Sequence, residues 1–294
     1  MVNRIWMEHF GQPLVDTVED FGTRGSRPTY PRLLDYLAAE FMESGWQLKR
    51  LHKWIVTSAA FQQSSHVTAE KLERDPDNRL LARGPRFRMD AEMIRDSALA
   101  VGGLLSPKMF GPSTFPDQPE GTWNLIYNSE KWMLSGGQDR YRRGLYTFWR
   151  RTAPYPSFMV FDATSRETTC LRRVPTNTPL QALTTLNDPT FFASAQGLAN
   201  RILTQPPESA SVVHRVRFAF RLALAREPSL QERERLIRLF REQKAIYQAD
   251  PSLAWTVSRE GDVRAAPGLD EIEFAAWTMV ANVLLNLDEA LVRG

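Results

Sequence analysis

The sequence predicts a mostly α, multi-helix globular domain whose middle is a proline- and arginine-rich excursion containing minor β-structure. Three observations carry that expectation. Apolar residues recur at the spacing of one helix face through both flanks of the chain. Capping residues, first-turn prolines and terminal glycines punctuate those stretches where helices should start and stop. Between Ser106 and Pro175 fall seven of the 19 prolines, too many for sustained helix.

The expected order is one domain with an N-terminal helical part (1–105), an irregular insert-like segment (106–175) and a C-terminal helical part (176–294). Pro31 suits a first helical turn, Leu33, Leu34, Leu37, Ala38 and Phe41 form a stripe behind it, and Ser44-Gly45 supplies a stop. Leu48, Leu51, Ile55 and Ala59 continue as a second helix, and Gln62 to Asn78 reads as loop. Asp90 is placed to cap a helix carrying Met93, Ile94, Ala98 and Val101, ended by Gly102-Gly103. Within the excursion, Gly144 to Arg151 has the aromatic content of a strand, one arm of a small sheet. Thr178-Pro179-Leu180-Gln181 opens another helix, and Asn187-Asp188-Pro189 ends it and starts the next. Val212 to Ala225 forms one more. Ser229 with Glu232 makes a capping box for a highly charged helix through Lys244. Asp270 and Glu273 open an almost wholly apolar helix to Leu287, which belongs at the centre of a core.

Composition excludes several classes. With 43% hydrophobic residues in 294, whole-chain disorder is excluded. No apolar run reaches the ~18 residues of a membrane span; the densest, Phe274 to Leu287, is broken by Thr278, Asn282 and Asn286. The single cysteine, Cys170, excludes an internal disulfide, a CxxCH haem site and a cysteine-based zinc site, and reads as a small buried residue. His9, His52, His66 and His214 include no i, i+4 pair, so no metal site is expected; His52 should pack against a helix and His66 should be exposed. Asp75, Asp77 and Asn78 begin like a calcium loop, but its twelfth position is Arg86. Phosphate loops and the GxSxG elbow are absent. Met1 to Phe10 lacks the pattern of a secretion signal.

Charge is informative locally. Of 37 basic residues six are lysine and 31 arginine, an excess that codon usage explains for the whole chain but not for its clustering. Gln138 to Pro175 holds eight arginines against three acids, a net of +5 that exceeds the chain's +3. Guanidinium forks grip carboxylate, sulfate or phosphate, and aromatic faces add stacking. The candidate ligand-binding set is therefore Arg142, Arg143, Arg150, Arg151, Arg166, Arg172 and Arg173, with Trp149 and Tyr155 as stacking faces and Asn177 and Gln181 as polar neighbours. Asp162 and Glu167 are the candidate acid and base. The same residues also suit a loop pinned by Arg–carboxylate and Arg–carbonyl bonds. Arg233, Arg235, Arg238 and Arg241 alternate with Glu232, Glu234 and Glu242, the mark of a solvated face and not of a nucleic-acid groove.

Several phrases resemble one known family. VNRIW with HFG at Val2–Gly11, DFG at Asp20–Gly22, and LLDYLAAEF with SGW through Lys49 resemble its opening. The block from Leu145 to Pro189, containing FWRRTAPYPSF, SRETTCLRRVPTNTPLQAL and NDP, resembles its central signature. ALAREPSLQERERL and VLLNLDEAL resemble its end, with Ala290 where the family more often has Phe. The family is the C-terminal domain of unknown function 1553, planctomycete-specific domain 1. Its characteristic positions are matched by Arg166, Glu167, Arg172, Arg173, Asn177 and Gln181.

The resemblance implies an extracytoplasmic module that follows upstream domains, with haem c only on an upstream module of relatives and no cofactor in this chain. It implies an association with redox or polysaccharide-processing proteins. Three functional expectations follow: binding of an acidic ligand such as an acidic glycan, or of a partner, through the Arg-rich segment; a hydrolase or lyase of acidic polysaccharide using Asp162 or Glu167; or a structural module docking the upstream domains. Nucleic acid and a membrane span are not expected.

Overall fold

The computed structural model describes residues 1–119, 121–123 and 131–294, so the stretch 124–130 of the excursion lies outside the described residues. Among the described residues are twelve α-helices and one two-stranded sheet, a mostly α fold. The chain forms two compact units.

The first unit comprises residues 1–88, 170–172 and 292–294. Its helices are α1 (Val2–Phe10), α2 (Pro31–Glu43), α3 (Leu48–Val56) and α4 (Ala69–Arg74). The stripes read from sequence meet in its core: Leu37 and Phe41 of α2 and Leu51 and Ile55 of α3 pack with Ile5, Trp6 and Phe10 of α1. Trp6 and Phe10 stack at 4.1 Å. The interval expected as loop contains α4, which forms because Thr68 accepts the Lys71 N–H at 3.3 Å and Glu70 pairs with Arg74 one turn on. β1 (Phe87–Arg88) pairs antiparallel with β2 (Val292–Arg293). The histidines that lack helical spacing in sequence meet across elements. His9 is buried on α1, its Nε2 lies 2.8 Å from Nδ1 of His52 on α3, and its Nδ1 has no hydrogen-bond partner among the described residues. Burial, the Arg293 guanidinium and His52 hold the His9 pKa below its ordinary value. His66 is exposed, as expected.

The second unit comprises residues 89–169 and 173–291. It contains α5 (Ala91–Val101), α6 (Pro156–Val160), α7 (Pro179–Asn187), α8 (Pro189–Thr204), α9 (Val212–Leu224), α10 (Leu230–Ala249), α11 (Pro251–Arg259) and α12 (Glu271–Leu285). The apolar α12 is buried on nearly every face and packs against α8, α10 and α11, with Trp277 stacked on Phe240 at 4.4 Å. The Ser229–Glu232 capping box forms at the head of α10. Helix α11 had no expectation attached to it, although Asp250-Pro251 carries its start: Asp250 accepts the Ser252 N–H at 3.0 Å. Helices α5 and α8 approach closely at Gly102 and Gly197. A Cβ at Gly102 would lie 2.6 Å from the Ser194 carbonyl oxygen, and one at Gly197 would overlap the Gly102 carbonyl oxygen.

The Gly144–Arg151 run is not a sheet arm. It makes a 3-10 turn (Gly144–Tyr146) and one isolated bridge, Thr114 with Thr147. Its aromatic residues serve packing: Phe148 stacks on Phe115 at 4.7 Å and Trp149 on Phe158 at 6.2 Å, while Trp132, from outside the run, lies edge-on to Phe115 and donates to the Pro116 carbonyl at 2.7 Å. Side chains of α5 supply what a neighbouring strand would. The Arg95 guanidinium, 2% exposed, donates to the carbonyls of Arg142 at 2.7 Å and Arg140 at 3.0 Å, and Asp96 accepts the Gly144 N–H at 2.7 Å.

Gly197→Ala should destabilise the protein by ~2 kcal/mol or more in denaturant titration, although Ala exceeds Gly in helix propensity by ~1 kcal/mol, because the new methyl group meets backbone. For His9, the folded pKa lies below the unfolded ~6.5, so its neutral form stabilises the fold above that value and the contribution is lost as pH falls through it. The wild-type midpoint should drop between pH 7 and pH 5, and His9→Phe should flatten that drop.

Candidate functional site

One cavity of the second unit gathers charged groups of both signs. It encloses about 290 Å³ between α5 and the excursion, near the lower end of the ~300–1,000 Å³ usual for small-molecule sites. Asp90, Glu92, Met93 and Asp96 come from the first turns of α5, where Glu92 and Asp96 share a face at i, i+4. Opposite them the excursion contributes Arg143, Gly144, Leu145, Thr147 and Trp149. Phe158 of α6 and Arg166 and Arg173 from the following loop complete the lining. Beneath it, Ala91, Ile94 and Ala98 of α5 pack with Tyr155, Phe158, Phe161 and Phe191, so the lining rests on a close-packed floor.

The carboxyl groups differ in their engagement. Arg173 grips Glu92 with both arms, at 2.5 and 3.0 Å. Burial pushes the Glu92 carboxyl up, but these bonds and the Arg173 charge outweigh it, and its pKa lies below its ordinary value. Asp96 accepts the Gly144 N–H and lies 3.6 Å from Nε of Arg143, yet burial keeps its pKa raised. Asp90 is 3.9 Å from Arg173, and burial, opposed by Arg173 and reinforced by Glu92, raises its pKa too. Arg166 is exposed, adopts a left-handed backbone (φ 62°) and sets its guanidinium 4.7 Å from the centre of the Trp149 ring.

The sequence-selected residues divide. Arg143, Arg166, Arg173 and Trp149 meet at the cavity. Arg142 does not: it is 1% exposed, donates to the carbonyls of Phe110 and Pro112, and lies 3.7 Å over the Tyr146 ring. Tyr155 is a core residue and no stacking face. Its hydroxyl donates to the Asp117 carbonyl at 2.5 Å, lies 3.2 Å from Thr190 Oγ1, and is pushed up by burial to a pKa of about 12. Gln181 is fully buried and donates to the Val160 carbonyl at 2.9 Å. Arg150 lies 5.2 Å over the Trp123 ring and donates to Thr152, away from the cavity. Arg151 and Asn177 are exposed outside it. Arg172 is exposed and belongs with the first unit, as does Cys170, which is exposed and not buried as expected because residues 166–170 form an open loop. Asp162 accepts from the Thr176 N–H at 2.6 Å and the Thr176 hydroxyl, and neither Asp162 nor the exposed Glu167 lines the cavity.

Sequence reasoning missed Asp90, Glu92 and Asp96 as site residues. The signal was present in the i, i+4 acidic pair at 92 and 96, on the helix preceding the arginine-rich segment. The most strongly raised carboxyl is elsewhere: Asp188, pushed by burial to about 6, caps α8 through the Thr190 N–H and is structural. A larger groove of about 500 Å³ runs along α9 beside His214, Arg217, Phe218, Arg221, Leu222 and Glu227. There Arg217 and Glu227 pair with each other at 2.9 Å.

Against known proteins, the model of one family, described as PSD1, protein of unknown function (DUF1553), matches residues 1–240. No curated protein and no solved structure matches the chain.

The Arg173–Glu92 pair gives a testable consequence. Arg173→Met should cost ~1–2 kcal/mol at pH 7 by leaving a half-buried carboxylate unpaired. Glu92 has a depressed folded pKa, so its stabilisation is present above the unfolded carboxylate value and lost as pH falls through the folded one. The wild-type advantage over Arg173→Met in urea titration should therefore shrink from pH 7 to pH 3.

Proposed function

This chain belongs to the PSD1 (DUF1553) family, and we propose that it is a binding module for an acidic saccharide, held in the cavity between α5 and the excursion. The observation that carries this reading is the Arg166–Trp149 pair on the cavity lining, with the half-exposed Arg143 beside it on the same lining. A guanidinium bonds a carboxylate or sulfate in its own plane and leaves a flat face for a sugar ring. The left-handed φ at Arg166 supports the same reading. It costs of order 1 kcal/mol for a residue with a Cβ, and such strain concentrates where a side chain must be aimed. Family resemblance adds the setting: a module outside the cytoplasm, working beside upstream domains on polysaccharide.

The test is calorimetric or fluorescence titration of the chain with an acidic oligosaccharide such as oligogalacturonate, with a neutral gluco-oligosaccharide as control. Binding should favour the acidic ligand and quench Trp149. Arg166→Gly should relieve the backbone while removing the fork, so stability should change by less than ~1 kcal/mol as affinity falls ~10-fold or more. Affinity that is the same for acidic and neutral ligands, or unchanged in Arg166→Gly, would refute the proposal.

A further inference from the structure

The cavity's charges cancel. Arg143, Arg166 and Arg173 face Asp90, Glu92 and Asp96, so its formal charge is zero although the segment around it is strongly basic. Net attraction therefore cannot select a purely anionic ligand over a neutral one, and selection must come from where each charge sits. Arg173 and Glu92 satisfy each other. Asp96 is held by the Gly144 N–H. Arg143 lies 3.6 Å from Asp96 yet stays half-exposed, so Arg166 and the outer side of Arg143 remain toward the excursion, and Asp90 toward α5.

Asp90 carries a second, independent mark. It occupies the N-cap of α5, yet its side chain accepts no bond from that helix. The other aspartate N-caps do accept one: Asp188 from Thr190, Asp250 from Ser252 and Asp270 from Glu273. Forgoing a cap costs ~1 kcal/mol. The Asp90 carboxyl instead lines the cavity, 43% exposed, with the Arg173 guanidinium 3.9 Å away as its neighbour. An acceptor held there matches a donor on the ligand, and an ammonium matches best because it also balances the second carboxylate of the Asp90–Glu92 pair.

Granting that the cavity holds an acidic sugar, as proposed above, we infer that its ligand is zwitterionic: a saccharide bearing a free amino group beside a carboxylate or sulfate. Arg166 and Arg143 take the anion and Asp90 takes the ammonium. An N-acetyl group would replace three donors and a charge by one donor and a methyl group, leaving Asp90 half-buried and unmatched.

The experiment titrates the whole chain with three probes: a glucosamine–glucuronate oligosaccharide with free amines, its N-acetylated twin, and oligogalacturonate. The free-amine probe should bind at least ~10-fold more tightly than its twin. Asp90→Asn, an isosteric change that leaves the fold intact by circular dichroism, should erase that difference by weakening the free-amine probe ~10-fold or more. Arg166→Ala should weaken both. Equal binding of the twins, with Asp90→Asn silent and Arg166→Ala still damaging, would overturn the zwitterion and leave the acidic-saccharide reading standing. Absence of binding by all three anionic probes would remove that reading, and the zwitterion with it.

Discussion

Among its described residues the excursion between α5 and α7 has no ladder, only two isolated bridges, and its backbone must still be satisfied. That constraint organises the second unit. Arg95, fully inside the protein, donates to two excursion carbonyls while Asp96 beside it accepts one N–H. Arg142 repeats the device in the opposite direction, reaching from the excursion to the carbonyls of Phe110 and Pro112. Arginine suits this work because one planar fork serves two carbonyls at once and keeps its charge when buried. A good part of the arginine density is thus the substitute for missing strands.

The cavity is a product of the same arrangement. Helix α5 turns Ala91, Ile94 and Ala98 into the core and leaves Glu92 and Asp96 on the face that meets the excursion. Close approach at Gly144, whose N–H reaches Asp96, brings Arg143 and Leu145 over that face. The Arg173–Glu92 pair then closes the loop end. Buried and cavity-lining arginines therefore alternate along the chain: Arg142 points inward, Arg143 outward, and Arg166 lies over Trp149 on the lining.

Helices were legible wherever a local signal also had a partner nearby in sequence. The α10 capping box, the prolines opening α7 and α8, and the apolar run of α12 each specify an element within four residues. Composition misled at Gly144–Arg151, because Phe148 and Trp149 fit a pleated strand and an aromatic cluster equally, and only the packing of Phe115 and Phe158 decides between them. The basic half of the site was legible as a cluster. Of its acidic half the sequence shows only the i, i+4 spacing of Glu92 and Asp96; that Glu92 reaches Arg173 across 81 residues is announced by nothing local. The burial of Arg142 and Tyr155 was equally invisible, because arginine and tyrosine serve interiors and surfaces with the same atoms.

Broken local rules are informative only after their ordinary uses are removed. Left-handed backbone at Trp46, Asp162 and Ala225 follows the ends of α2, α6 and α9, where helices commonly terminate that way. Arg166 has no helix to end. Thr178 also heads a helix without capping it, but Pro179 at its first turn removes one of the donors a cap would serve. Asp90 has no such proline, and its helix starts with Ala91. Asn78, Leu81 and Phe110 are left-handed without directly following a helix either, but Arg166 alone of these lines the cavity, and Asp90, the aspartate that declines to cap, lines it from the opposite element. Two independent local costs kept in one place, on charges of opposite sign, are what sets this cavity apart from the groove along α9, where Arg217 and Glu227 pair with each other.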